Sequence, residues 1–293
     1  MSARSLTNAV VLCAVLVHAA GGQDSITPAK RALTPIGRMD PTVIKESSGI
    51  AKSPRHEGIF WTHNDSGNAA ELFAIKADGT LVATIPVEGA PNLDWEDIAI
   101  AGGFIYIGDI GNNHGLMRVR FVYKFAEPNP LAADIKPIKP LTTYRYKYPD
   151  KLFDSEALLV RGDRIYVIRK AGGKASAVYR LTPTDGKYMV LDEVQVLRSG
   201  VVSGADLSRD GRYLVTASSY QLAWYPVNDD MTFREGEPAK FVRYPVIDML
   251  EACCFDGDDV LMTAETGFIY RIPAQDVQRQ TRFVRAPRSG GGR

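Results

Sequence analysis

The strongest constraint on the fold is an internal repeat. Five segments begin a unit in the same way, and they are SSGIAKS (47–53), WEDIAIAG (95–102), SEALLVRG (155–162), GADLSRDG (204–211) and LEACCFDG (250–257). If Ser48, Glu96, Glu156, Ala205 and Glu251 are taken as equivalent, successive units are 48, 60, 49 and 46 residues apart. A single unit of this kind cannot bury both of its faces, so the units are expected to stack on one another.

Each unit has enough β-rich runs for four strands. A second run follows the first turn, as in FIYIG, and a third has an aromatic residue between aliphatic ones, as in VYRL. Helical periodicity is absent from residue 46 onward. The sequence therefore predicts an all-β fold, a single β-propeller of four-stranded antiparallel blades. We predict five blades; six would require extra strands in the Pro-rich stretch 126–140, which we interpret as a loop insertion.

The last unit has three clear strands, and a strand from the other end of the chain is expected to complete it. The segment before Ser48 contains TPIGRM and PTVIKE, either of which is suited to a strand. We predict that this N-terminal segment forms the outer strand of the last blade, because the closed ring then has no exposed sheet edge there. The propeller is predicted to span 36–281.

The first 22 residues are typical of a secretory signal peptide. Arg4 provides the positive charge, the run AVVLCAVLVHAA is apolar, and small residues follow at 19–22. The apolar run is short for a transmembrane helix, so no membrane span is expected. We predict a secreted or periplasmic protein, with a linker at 23–35 and a flexible Arg/Gly-rich tail at 282–293.

Charge and cysteine content exclude some classes of protein. The formal net charge is +1, and Lys and Arg are scattered, so no nucleic-acid partner is expected. After removal of the signal only Cys253 and Cys254 remain. Adjacent cysteines cannot join distant segments, so the core must stabilise the fold. Two buried, reduced thiols are favoured over a vicinal disulfide.

Some polar residues are not explained by a preference for tight turns, and these are concentrated at one end of the predicted channel. There the loops before the first strands and after the second strands meet, and we call this end the mouth. Because side chains alternate along a strand, six carboxylates are expected to face the channel. They are Glu46, Asp94, Glu96, Asp154, Glu156 and Glu251. The loops HNDSGN, GDIGNNHG and RKAGGK (169–174) follow the second strands of the first three units.

Clustered carboxylates need a cation, basic partners or wide solvation. An oxygen-rich set suits Ca²⁺, and the predicted ligands are Asn64, Asp65, Asp94, Asp109 and Glu251. Glu96, Glu156 and His63 are candidate catalytic residues. Arg169, Lys170, Asn113 and Trp95 are candidate ligand-binding residues, the two basic ones as an anchor for an anion.

Structural roles compete with these assignments. Asp and Asn beside Gly favour tight turns. An acid at the start of an inner strand can bond backbone amides and hold neighbouring blades together. Trp95 can pack between blades instead of stacking on a sugar. The second and third units have paired acids and the fourth has none, and structural repetition alone does not favour that asymmetry.

The segments ESSGIA, WTHNDSGN, LDWEDIAI, YIGDIGNN, YPDKLFDSEALLV and YVIRKA resemble a family of exported bacterial β-propeller proteins of NHL-like and SdiA-regulated-like type. The resemblance extends over most of 46–272 and implies the fold and export. The chain is more distantly similar to propeller phytases and to gluconolactonase- or paraoxonase-type enzymes. Those enzymes hold Ca²⁺ at the channel mouth, but their motifs do not align with this chain, so no catalytic residue is transferred.

Two functions are consistent with these observations. The first is a Ca²⁺-dependent hydrolase of an ester, lactone or phosphoester, with Glu96 or Glu156 as base and His63 as a proton carrier. The second is a non-catalytic propeller that binds a glycan, a peptide or an envelope partner through Trp61, Trp95 and Tyr220. Either would place a small-molecule or glycan ligand at the mouth, and we expect a monomer.

Overall fold

The structure is a computed structural model that describes residues 33–148, 152–171, 175–245 and 248–279. The predicted signal peptide, most of the linker, the tail and 172–174 of the RKAGGK loop lie outside the described residues. Within them the chain forms twenty strands and one short helix. Among the described residues no helix is long and apolar enough to span a membrane.

The strands share a short length and follow one another closely along the chain. They are β1 (Pro35–Arg38), β2 (Ser47–Lys52), β3 (Phe60–Asn64), β4 (Glu71–Ile75), β5 (Leu81–Pro86), β6 (Trp95–Ala101), β7 (Phe104–Asp109), β8 (Val119–Ala126), β9 (Thr142–Lys147), β10 (Ser155–Arg161), β11 (Arg164–Arg169), β12 (Ala177–Thr182), β13 (Met189–Val196), β14 (Gly204–Leu207), β15 (Tyr213–Ser218), β16 (Gln221–Pro226), β17 (Lys240–Arg243), β18 (Leu250–Asp256), β19 (Asp259–Ala264) and β20 (Phe268–Ile272), and the helix is α1 (Ala274–Arg279).

The strands form antiparallel sheets whose inner strands meet around one axis. Three sheets have four strands, in the orders β2-β3-β4-β5, β14-β15-β16-β17 and β1-β20-β19-β18. The fourth has eight, because two four-stranded units join where β13 pairs with β9 in parallel over two residue pairs. The inner strands β2, β6, β10, β14 and β18 lie against one another in that order, and β18 lies against β2. This closed arrangement is propeller-like, and it agrees with the all-β prediction.

The N-terminal strand completes the last sheet, as the sequence predicted. β1 pairs antiparallel with β20, and Arg38 lies opposite Phe268. Of the two candidate segments, TPIGRM therefore supplies the strand, and PTVIKE forms a turn and bends instead. The stretch 127–141 is a loop with one isolated bridge, Val87 to Ile138.

The hydrophobic core consists of five clusters, each between two consecutive four-stranded units. Both faces of each unit are therefore covered, and this explains the continuous apolar runs in the strands. Adjacent residues of one strand point into different clusters: Cys253 packs with Trp224, whereas Cys254 packs with Phe60. Both cysteines are buried free thiols, as expected.

The register of the fourth unit differs from the sequence interpretation by two residues. Its first hairpin closes through Ser208 and Tyr213, so the turn is longer than the Ala101–Phe104 turn of the second unit. The position equivalent to Glu96 is therefore Ser203 and not Ala205. The Ser203 N–H donates to the Ala217 carbonyl at 3.0 Å, although Ala217 already pairs with Gly204.

Candidate functional site

A β-bulge places an extra residue near the start of several inner strands. In the pairing of each inner strand with its neighbour the register shifts at one residue, and these residues are Ser48, Glu96, Glu156 and Glu251. A bulge leaves the extra residue outside the ladder and re-aims its side chain. Glu96 and Glu156 are thereby brought together beside the axis, and each is only 4% exposed.

Five carboxylates converge there in two overlapping groups. The first trio is Asp65, Asp94 and Glu96, and the second trio is Glu96, Asp154 and Glu156. Within each trio, one possible ligand atom from every residue lies within 4.8 Å of the others. Glu96 belongs to both, so the two groups share one buried carboxylate. Four of the five acids belong to the set predicted to face the channel, and Asp65 comes from the HNDSGN loop.

Gly111 allows the first trio to form. Its N–H donates to the Asp94 carbonyl at 3.2 Å, which holds the GDIGNN loop over the start of β6. A Cβ on Gly111 would collide with Glu96 Oε1 and would lie 2.6 Å from Asp94 Oδ2. A side chain at this position would force one or both carboxylates to move.

Arg120 is a buried partner of the first trio that the sequence interpretation missed. It lies on β8, it is 1% exposed, and its guanidinium donates to Asp94 Oδ2 at 3.1 Å. A second nitrogen is 3.9 Å from Asp109 Oδ1. In a strand whose two faces are both covered, alternation does not distinguish a buried arginine from an exposed one. The local sequence therefore contains no signal that would have found Arg120.

Lys170 is the basic residue of the second trio. Its Nζ donates to Glu156 Oε1 at 2.5 Å and is 3.8 Å from Asp154 Oδ2. The side chain is one-third exposed, so its ammonium group also contacts solvent at the mouth. Its backbone N–H donates to the Asp154 carbonyl at 2.9 Å, which fixes the position of the residue.

Burial and the proximity of other acids raise the pKa values of Glu96, Glu156, Asp65 and Asp94. Burial, reinforced by Glu156 and other acids, raises the pKa of Glu96 well above its ordinary value. Burial raises the pKa of Glu156 to about 8, although Lys170 opposes the shift. Burial also raises the pKa of Asp65 and Asp94. Burial lowers the pKa of Lys170, but Glu156 and its neighbours outweigh that effect and raise it overall.

Three predicted site residues are held inside the fold. His63 is fully buried between β2 and β6, its ring packs edge-on against Trp95 at 5.6 Å, and burial lowers its pKa to about 4. The Trp95 ring is also fully buried, and its Nε1–H donates to the Pro91 carbonyl. Asn64 Oδ1 accepts the N–H groups of Lys45 and Glu46, so its amide oxygen is used by the backbone.

Three others lie near the mouth but outside both trios. Asp109 is fully buried; it accepts the Asp94 N–H at 3.0 Å, and burial raises its pKa to about 6. Arg169 turns away from Lys170 and donates to Tyr179 at 2.6 Å, so the two basic residues do not form one anion anchor. Asn113 is exposed on the loop after β7.

Glu251 and Glu46 complete the set of predicted mouth acids. Glu251 is half-buried, and burial raises its pKa while Lys170 lowers it, so it lies within the electrostatic reach of that ammonium group. Glu46 is exposed and accepts a hydrogen bond from Asn68 at 3.0 Å. Neither residue belongs to a trio.

Two aspartates elsewhere in the inner strands, Asp97 and Asp206, hold neighbouring sheets together. Asp97 Oδ2 accepts the Leu158 N–H of β10 at 2.8 Å, and its Oδ1 accepts the Ile98 N–H. Asp206 makes the same bonds to Phe255 of β18 and to its own neighbour, Leu207. The structural role that the sequence left open for inner-strand acids thus belongs to these aspartates.

Comparisons with known proteins do not identify an activity for this chain. No protein-family model matches the chain, and no curated protein matches it. Solved structures similar to it include virginiamycin B lyase from Staphylococcus aureus, with 13% identity, a TM-score of 0.41, and coverage of 77% of this chain and 94% of the lyase. A catalytically inactive variant of that lyase with quinupristin has 12% identity, a TM-score of 0.42 and the same coverage. At these values the similarity says nothing about the reaction of this chain.

Proposed function

We propose that the first trio binds a divalent cation, with Ca²⁺ as the best fit. The observation that supports this most is the convergence of Asp65, Asp94 and Glu96 around one small space. Glu96 is almost fully buried, yet among the described residues its carboxylate accepts a side-chain hydrogen bond only from Ser48, at 3.4 Å. A buried carboxylate with so few donors needs a proton or a cation.

The ligand set fits a hard cation. Ca²⁺ takes six to eight oxygen ligands and accepts carboxylates in flexible geometry. Three carboxylates with solvent at the mouth can supply this number even though Asp94 Oδ2 is bonded to Arg120. His63, Cys253 and Cys254 are buried apart from the trio, so a site for a softer metal is not favoured.

We further propose that this site hydrolyses an ester, a lactone or a phosphoester. A bound Ca²⁺ would polarise the substrate oxygen and orient water. Glu156 would accept a proton from the attacking water and donate it to the leaving group, because a carboxyl group with a pKa near the working pH can do both. The Lys170 ammonium group, which is accessible from solvent, stabilises the negative charge that develops on the substrate. His63 has no part in this scheme because it is buried.

The proposal includes five blades and export. The ring of inner strands β2, β6, β10, β14 and β18 supports the count, since each begins a unit of four strands. The signal-like N-terminus supports a secreted or periplasmic location, where Ca²⁺ is available to a weak site.

Hydrolysis is tested on the mature protein with a panel of chromogenic esters, lactones and phosphoesters, in Ca²⁺ and in chelator. We expect activity that requires Ca²⁺ and falls at least about 100-fold in Glu156→Gln, the range for loss of a general acid or base. Glu193→Gln, on the exposed part of β13, is the matched control and should keep full activity. Activity that persists in chelator or in Glu156→Gln would remove these groups from the mechanism.

The non-catalytic alternative is an outcome of the same test. Trp61 and Trp95 are fully buried, so of the three aromatic residues first considered for contact only Tyr220 is exposed, at 41%. Ca²⁺ binding without hydrolysis of any substrate class would favour a binding module.

A further inference from the structure

The second trio resembles the first in number of carboxylates, but a positively charged side chain lies among its members. Both trios consist of three carboxylates, and both use Glu96. In the second, Lys170 Nζ lies 2.5 Å from Glu156 and 3.8 Å from Asp154. A nitrogen at these distances occupies the space between two carboxylates in which a divalent cation would otherwise bind.

The first trio is neutralised differently. Its basic neighbour, Arg120, donates to one oxygen of Asp94 and also lies near Asp109. Arg120 is a residue of β8 whose side chain is 1% exposed, so its guanidinium group does not face solvent at the mouth. Asp65 and Glu96 have no basic partner among the described residues, and the Glu96 carboxylate points at Gly111, where no side chain fills the space.

We propose that the Lys170 ammonium group takes the place of a second divalent cation. The native chain therefore binds one cation, and a chain in which Lys170 is replaced by a neutral residue binds two. The inference rests on the cation site proposed for the first trio. It assigns Lys170 a role in setting the number of bound cations, in addition to its proposed contact with substrate.

The charges explain why a second cation would replace the ammonium group. Without Lys170, Asp154 and Glu156 would be buried or half-buried acids beside Glu96 that have no basic partner among the residues described by the structure. Removing one member of a buried ion pair is destabilising because the other charge remains uncompensated. A divalent cation would replace the positive charge of Lys170 and add one more positive charge, which the carboxylate shared by both trios, Glu96, can neutralise.

The experiment measures bound Ca²⁺ per chain after equilibrium dialysis, by elemental analysis of the full mature protein. We expect one Ca²⁺ in the wild type, two in Lys170→Gln and one in Lys170→Arg, which keeps the charge. Lys136→Gln is the matched control, because Lys136 is 79% exposed and pairs with Asp134 and not with an acid of either trio. It should bind one.

The outcomes separate this inference from the proposed function. One Ca²⁺ in both the wild type and Lys170→Gln would overturn the role of Lys170 and leave the first site intact. None in the wild type but one in Lys170→Gln would support the role of Lys170 and overturn the first site. None in either protein would overturn both.

Folding of the variants is followed by circular dichroism in Ca²⁺ and in chelator, with Lys170→Met as a second neutral variant. We expect both neutral variants to melt lower than the wild type in chelator and to regain the difference in Ca²⁺. If both remain unfolded even in millimolar Ca²⁺, the cation does not replace the ammonium group, and the inference is wrong.

Discussion

Gly111 illustrates how one residue without a side chain can determine the geometry of a cluster of charges. Its Cα faces Glu96 and Asp94, and its backbone is not in the left-handed region, so the need for glycine is a matter of space. Gly111→Ala should therefore push the two carboxylates apart while the backbone stays as it is. Overpacking at such a position costs about 1–3 kcal/mol.

We expect Gly111→Ala to weaken Ca²⁺ binding by about tenfold or more, measured by calorimetric titration. Gly186→Ala is the control, because the space around that exposed turn residue is open apart from Thr184. Equal affinities in the two variants would show that the first trio does not bind the cation.

Asp97 is the single residue that best illustrates the contacts between neighbouring sheets. It is 1% exposed, and its carboxylate accepts one N–H from its own strand and one from β10. Burial raises its pKa well above the ordinary value, so Asn is a close mimic of the group. An unpaired buried donor costs about 1–3 kcal/mol.

Asp97→Ala should lower the free energy of unfolding by about 2–5 kcal/mol in denaturant titrations, because two N–H groups lose their acceptor. Asp97→Asn should cost less than half as much, and Asp163→Ala, in an exposed turn, should stay within about 0.5 kcal/mol of the wild type. Similar losses in the Ala and Asn variants would contradict the hydrogen-bonding role.

At the scale of elements, β1 is the strand with the clearest separate role. It covers the edge of β20, and its Gly37 packs so closely on the backbone of Asp78 that a Cβ would lie 2.5 Å from the Asp78 Cα. Arg38 also donates its N–H to the Asp78 carbonyl at 3.1 Å. One short strand thus contacts both the last and the first four-stranded units.

A chain beginning at Met39 should melt at least about 5 °C below a chain beginning at Leu33, because β20 loses its partner. Light scattering should also detect association of the shorter chain through the exposed edge. If the two chains melt together and both stay monomeric, closure by β1 does not stabilise the fold.

The repeat made most of the fold predictable, and the exceptions have local causes. The starts of four inner strands and the closure by β1 follow from motifs that recur at a regular spacing. The fourth unit was misplaced because its hairpin turn is longer, which moves Ser203 to the position assigned to Ala205. No repeated motif in the sequence predicts the parallel contact of β13 with β9 or the helix α1.

The candidate site was predictable to a similar extent. Convergence of Asp94, Glu96, Asp154 and Glu156 follows from their shared place before or at the start of inner strands. The structural roles of His63 and Asn64 do not, because they depend on contacts with distant segments: Trp95 for the first and the backbone at 43–46 for the second. Residues beside turns look alike in sequence whether they face a ligand or the core.

For the molecule as a whole, the raised pKa values make stability depend on pH in a defined direction. Glu156 has an ordinary pKa of 4.5 and a pKa of about 8 when folded. Between these values the folded chain holds more protons than the unfolded chain, so stability falls as pH rises. His63 acts in the opposite direction, but only below about 6.5, because burial lowers its pKa to about 4.

In chelator, the melting temperature should therefore fall by several degrees from pH 6.5 to pH 8. The fall should be smaller in Glu156→Gln, which cannot ionise, and smaller in wild-type protein with Ca²⁺, because the cation compensates the carboxylates. A rise over this interval, or an identical fall in the variant, would contradict the description of the mouth.

The most direct test of the central claim compares the melting temperature of the wild-type protein in Ca²⁺ and in chelator. A ligand at a hundredfold excess over its Kd stabilises the folded state by about 2.7 kcal/mol. For a chain of this size that corresponds to about 5–10 °C. We predict a rise of this order in the wild type and little or none in the Asp65→Asn, Glu96→Gln double variant. A wild-type melting temperature that is the same in Ca²⁺ and in chelator would contradict the claim that the first trio binds a cation.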